Sequence, residues 1–184
     1  MKPRITVFLT GVLALVASLV RPTPAVAGDQ EALAALLAEQ KVEQANLANF
    51  DDLDFRVFTG QKWADFHKSH ASDIKVHWPD GHSTEGLETH IKDLEAMFVY
   101  APDTRIHEHP VKIAQGEWTA VIGTMEGTFS QPMPIGDGKV IPPTGKAYRI
   151  RMATIGHWTQ EGVMDEEYLF WDNQEFMRQI GLGQ

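Results

Sequence analysis

The chain has 184 residues, 25 acidic against 16 basic side chains for a formal charge of −9, and no cysteine. That balance opposes nonspecific attraction to nucleic acid or to anionic membrane surfaces, and the missing cysteines exclude disulfides, thiol nucleophiles and cysteine metal sites. Partners are expected among small molecules or proteins.

At the start, Lys2 and Arg4 precede an apolar run from Ile5 to Val20, followed by Pro22, Pro24 and the small triplet Ala25 to Ala27. This is the pattern of a secretory signal peptide at 1–27, cut before Gly28. The run is short for a comfortable bilayer span, which favours a removed signal over a retained anchor and predicts no stable membrane insertion afterwards. Removing it deletes Lys2, Arg4 and Arg21 and takes the charge from −9 to −12. The remainder suits a helical segment at 28–49 and a single domain at 50–184, in a periplasmic or secreted protein.

From Gln30 to about Phe50 the sequence is rich in Ala, Leu, Glu and Gln, with Leu33, Leu36, Leu37 and Leu47 on one helical face. Residues 60–70 place Trp63 and Phe66 a turn apart as a second helix. Residues 73–81 alternate Ile74, Val76 and Trp78 as a strand that ends in a Pro-Asp-Gly turn. Thr84 is the expected cap of a third helix whose apolar face carries Leu87, Ile91, Leu94 and Phe98, with His90 at its edge. Strands are predicted at 104–114, 117–130, 146–158 and 163–171, with a Pro/Gly-rich loop at 131–146 and a closing helix at 173–181. Helices followed by strands is the α+β order, in which N-terminal helices pack on one face of a curved, mainly antiparallel sheet and its concave side forms a pocket.

Signatures for phosphate loops, dinucleotides, nucleophile elbows and paired-histidine zinc helices are absent. What remains is histidine, carboxylate and aromatic side chains on strands. His107 and His109 lie two apart and share one strand face with Val111 and Ile113. They read as pocket-lining histidines, or as a metal pair that His77, His82 or a carboxylate would complete. Trp78, Asp80 and His82 stand at a strand end, where the Pro-Asp-Gly turn accounts for them and a pocket rim is the alternative. In the last strand Glu166, Tyr168, Phe170 and Asp172 share one face, and Asp165, Glu167, Leu169 and Trp171 the other. Asp172 either caps the terminal helix or, with His157 on the neighbouring strand, sits in an apolar cavity with a raised pKa and moves protons.

The stretch "PPTGK" at 142–146, the acid-rich last strand with Asp172, and "RQIG" at 178–181 resemble the SnoaL-like polyketide cyclases, within the cone-shaped nuclear transport factor two superfamily. The likeness covers about residues 50–183. It implies cofactor-free acid–base chemistry that needs no metal. Asp172 would exchange a proton beside a carbonyl, and His157 would polarise the substrate. Trp78, His107, His109, Glu166, Tyr168 and Trp171 would line the pocket. The family also leaves a homodimer across the sheet open. An exported protein sits away from cytoplasmic polyketide synthases, so the expected substrate is another small carbonyl compound. The competing expectation is a non-catalytic binding module of the cell envelope that holds an apolar ligand or a protein tail.

Overall fold

The structure, a computed structural model, describes residues 24–183. The expected signal at 1–27 lies almost wholly outside the described residues. The described chain divides into two units between Ala35 and Leu36, and the second holds the sheet and every site discussed below. Helix α1 (Pro24–Asp52) runs past its predicted end. Its expected stripe does not pack at Leu36 and Leu37, which are exposed; burial begins at Asn46 and Phe50. The helix widens into a π turn, Leu53–Phe58, and a short 3-10 helix, Trp63–Lys68, follows. Helix α2 is Leu87–Tyr100 and α3 is Asn173–Gln179.

The strands are β1 (His70–His77), β2 (Ser83–Glu85), β3 (Arg105–Ile106), β4 (Val111–Gln115), β5 (Trp118–Thr128), β8 (Ala147–Trp158) and β9 (Met164–Trp171), with a separate pair, β6 (Met133–Pro134) and β7 (Val140–Ile141), inside the Pro/Gly-rich loop. The large sheet has the order β2-β1-β9-β8-β5, with β3 and β4 both pairing along the far edge of β5. Every pairing is antiparallel except β1 with β9. The α+β expectation of helices on a curved, mainly antiparallel sheet therefore holds, with the core between them. Phe50, Leu53, Val57, Phe58 and Phe66 from the helical side meet Ile74, Val76, Met125, Ile150, Met152 and Leu169 from the sheet, all buried.

Three local departures from the sequence reading matter for the site. The strand expected at 104–114 is broken, since Ile106 pairs with Met125 and Val111 with Ile122. Five steps on one chain thus face three on its partner, and the bulge turns His107 and His109 to different surroundings. Strand β9 is bulged as well: His157 pairs with Glu166 but Trp158 with Met164, leaving Asp165 as the extra residue. Thr84 does not cap α2. It lies in β2 and accepts a hydrogen bond from Trp78 Nε1 at 3.0 Å, while Gly86, at φ 92°, occupies the cap position without a side-chain bond.

Candidate functional site

A cavity opens between the helices and the concave face of the sheet. Its wall is largely apolar: Leu53, Phe58, Phe66, Leu94, Met97, Ile106, Met125, Met152 and Leu169 contribute. Into it face two carboxylates and two imidazoles, Asp54, Glu167, His70 and His90, together with Thr154. No Lys or Arg lines it. Trp78, Met97 and Trp171 are the lining residues that are not buried, so they form its mouth. Trp78 and Trp171 meet edge to face with ring centroids 6.2 Å apart. The cavity measures about 40 Å³, room for about three waters.

Each polar group is delivered by a different element. Asp54 is carried by the π turn, in which Leu53, Asp54, Val57 and Phe58 all point inward. Thr59 fixes the turn: its hydroxyl lies 2.8 Å from the Asp54 carbonyl, and it accepts from the Ile106 amide at 2.9 Å. Asp51, three residues earlier on the same helical face, points the same way. His109, from the bulge between β3 and β4, fills the space behind the pair, with Nε2 2.7 Å from Asp54 Oδ2 and Nδ1 2.8 Å from Asp51 Oδ1. Phe50 and Phe55 pack against its ring. Lys112 closes the chain at the surface, 2.6 Å from Asp51.

Burial pushes the Asp54 carboxyl above its ordinary range, against the pull of His109. Burial also opposes a charge on His109, but Asp54 and Asp51 outweigh it and raise the imidazole. Asp54 and His109 therefore titrate as a coupled pair, and Asp51 links His109 toward the surface.

The second polar group assembles around Glu167, which stands on the inner face of β9 beside Leu169 and Trp171. His90 on α2 brings Nε2 to 3.3 Å from Glu167 Oε2, and His70 at the head of β1 brings Nε2 to 3.9 Å. All three side chains are buried. Burial alone would raise Glu167, but the two imidazoles more than offset it and hold it below the usual value. His90 is pulled down to about 4, chiefly by burial, so it is neutral at pH 7.

Of the site residues expected from the sequence, only Trp78 and Trp171 line this cavity. Asp172 and His157 do not converge. Asp172 is exposed, and its carboxylate accepts from the Glu175 amide at 2.9 Å as the cap of α3. His157 stands on the outer face of the sheet, 2.6 Å from Asp165 and 3.5 Å from Glu117. Asp165, which alternation groups with Glu167, is separated from it by the β9 bulge and carried to the outer face. Asp165 raises His157 despite partial burial. Glu166 and Tyr168 also face outward. Tyr168 donates to Glu166 at 2.9 Å, and the His77 ring stacks on Tyr168 and reaches the same carboxylate at 2.9 Å. His107 is exposed over a shallow depression with Glu108, Thr124, Glu126 and Arg149. His109 lies behind Asp54 without reaching the cavity.

The sequence reading missed Asp51, Asp54, His70, His90 and Glu167 as site residues. The signal for Asp54 was present, since "DDLDF" at 51–55 puts acids one turn apart among buried apolar residues. Glu167 had been assigned to the face that turned out to be inner, yet its neighbour Glu166 was preferred.

A family model described as SnoaL-like polyketide cyclase matches residues 51–180. Among solved structures, a protein of Jannaschia sp. CCS1 assigned to the SnoaL-like polyketide cyclases superposes with a TM-score of 0.66 at 18% identity, covering 78% of this chain and 96% of that one. A SnoaL-like polyketide cyclase of Agrobacterium tumefaciens has a TM-score of 0.56 at 16% identity over 76% and 98% of the two chains. A protein of Catenulispora acidiphila with a ketosteroid isomerase-like fold gives 0.58 at 12% identity over 74% and 92%. At these identities the likeness to solved structures establishes the fold. No curated protein sequence matches the chain.

Proposed function

The chain belongs to the SnoaL-like polyketide cyclase family, and from that premise we propose that it transfers a proton on a small carbonyl compound held in the cavity, with Asp54 as the exchanging group. The observation that carries this reading is Asp54 itself: a buried carboxyl on an apolar wall, raised by that burial and hydrogen-bonded from behind by His109. A base of this kind takes a proton from carbon beside a carbonyl, leaving the C–H electron pair in an enolate, and returns that proton to carbon or exchanges it with solvent, while His109 holds the carboxylate from behind. His70, His90 and Glu167 line the same space. Isomerisation and aldol-type ring closure both begin with this step. The roles expected of Asp172 and His157 pass to Asp54 and His109 in this reading, because Asp172 is exposed and its carboxylate is committed to capping α3.

The cavity size supports a substrate much smaller than a multi-ring polyketide. Lys2, Arg4, the apolar run to Val20 and the small residues at 25–27 support export, and the protein is assigned here to the periplasm or the exterior. Among the described residues no helix is long and apolar enough to cross a membrane. A homodimer across the outer face of the sheet completes the proposal.

Loss of deuterium exchange is the test. Small enolisable ketones incubated with the protein in deuterated buffer are expected to exchange their α-protons, followed by NMR. Asp54→Asn is expected to lower the rate by about 10²- to 10⁴-fold with the fold retained by circular dichroism. The wild-type rate should rise as pH climbs through the raised Asp54 pKa, since only the ionised carboxylate accepts the proton. Retention of a ketone without exchange would favour the binding-module alternative, and an Asp54→Asn rate equal to wild type would reject the assignment.

A further inference from the structure

We propose that His70, His90 and Glu167 bind a divalent first-row transition metal ion, of the zinc or ferrous class, at the wall of the cavity. The three donor atoms, one from each side chain, all lie within 4.8 Å of one another, with 3.3 and 3.9 Å separating Glu167 Oε2 from His90 Nε2 and His70 Nε2. Ligands held at about 2.0 to 2.2 Å from one ion stand roughly 3 to 3.6 Å apart, so small side-chain adjustments suffice.

The alternative is a network in which the imidazoles hydrogen-bond the carboxylate. That network is not formed: Glu167 Oε2 and His70 Nε2 are fully buried without a hydrogen-bond partner, an uncommon condition for interior polar atoms. The reason is visible behind His70. The Ser69 hydroxyl lies 3.2 Å from the Phe66 carbonyl and 2.9 Å from His70 Nδ1. Donating to the carbonyl, it accepts from His70 Nδ1–H, and that tautomer presents the Nε2 lone pair a metal ion requires. A cation between that nitrogen and the Glu167 carboxylate is coordinated by both, and an outer hydrogen bond of the Ser69 kind is what orients metal-bound histidines. His90 Nδ1 and Asp93 Oδ2, three residues apart on α2, are likewise buried without partners, and that spacing puts both on one helical face.

Charge and coordination number agree. The cavity holds two carboxylates and no Lys or Arg, so an anionic transition state there needs a positive charge from elsewhere. Two histidines and one carboxylate leave coordination positions open to the cavity, as in catalytic rather than structural sites. The donor geometry stands apart from the proton-transfer reading. Only the consequence, that the ion would polarise the carbonyl oxygen opposite Asp54, rests on it. The ion-free chemistry implied by the family likeness would then not hold for this chain.

The test uses protein without a polyhistidine tag, stripped with a chelator and titrated with Zn²⁺ by calorimetry and with Co²⁺ by visible absorption. One ion per chain is expected, with thermal stability raised and with the His70 and His90 imidazole resonances shifted by Zn²⁺ while the other histidines stay in place. Glu167→Gln and His90→Gln should each weaken Zn²⁺ binding by about 100-fold or more, beyond the usual cost of losing an outer-shell partner. Asp54→Asn should bind as wild type, which separates this inference from the catalytic one. Folded wild type that takes up no Zn²⁺, affinity unchanged in both ligand variants, or shifts confined to other histidines would overturn the proposal.

Discussion

Asp54 and Asp172 both follow the end of a regular element, and their surroundings give them opposite work. Asp172 faces water and its carboxylate is committed to a free amide at the start of α3, where negative charge is favoured. Asp54 has lost its water and answers to one imidazole. Asp172→Ala is therefore expected to lower stability by about 1 kcal/mol in denaturant titration while α-proton exchange stays at the wild-type rate; a collapse of turnover with stability unchanged would reinstate Asp172 as the reacting group. The sequence had offered both roles for Asp172, and helix capping, which needs only local neighbours, was readable there. The cavity carboxylates were not, because Asp54 acquires its character from His109, 55 positions away, and Glu167 from His70 and His90 on two other elements.

At the scale of elements, irregularities rather than regular strands and helices assemble the cavity. The π turn delivers Asp54, the break between β3 and β4 delivers His109, and the bulge of β9 sends Asp165 outward while Glu167 stays in. Thr59 joins the first of these to the second by bonding both the Asp54 carbonyl and the Ile106 amide. Thr59→Val keeps the shape but strands those groups, so a loss of about 1 to 3 kcal/mol is expected, measured by chemical unfolding, with Asp54→Asn adding less than its separate effect because the sites are coupled. Strand and helix existence was legible from periodicity across nearly the whole chain. Periodicity carries no mark of an inserted residue, however, so every side chain beyond a bulge was assigned by a rule that the bulge resets. His107, His109 and Asp165 were misplaced for that one reason.

At the scale of the whole molecule, the sheet presents a second face with its own chemistry. Val111, Ile113, Trp118 and Phe170 are exposed there by 41 to 60%, beside Tyr168 and the His157–Asp165 pair. A patch of this kind is typical of an association surface, and it carries the homodimer proposed above. Sedimentation is expected to give a dimer for wild type and a monomer for Ile113→Glu combined with Phe170→Glu, both folded; a monomeric wild type at micromolar concentration would remove the proposal. The α+β architecture was legible from element order alone, but which sheet face holds the chemistry was not, since both faces mix acids with aromatic rings.

The mouth of the cavity has a practical consequence. Two indoles frame it, each tied by its N–H to a neighbour, Trp78 to Thr84 and Trp171 to Asn173, with Met97 beside them. Whatever reaches the interior has to brush past both rings and strip water from them. Ultraviolet emission from these tryptophans thus becomes a built-in optical gauge of occupancy, readable before any substrate has been identified.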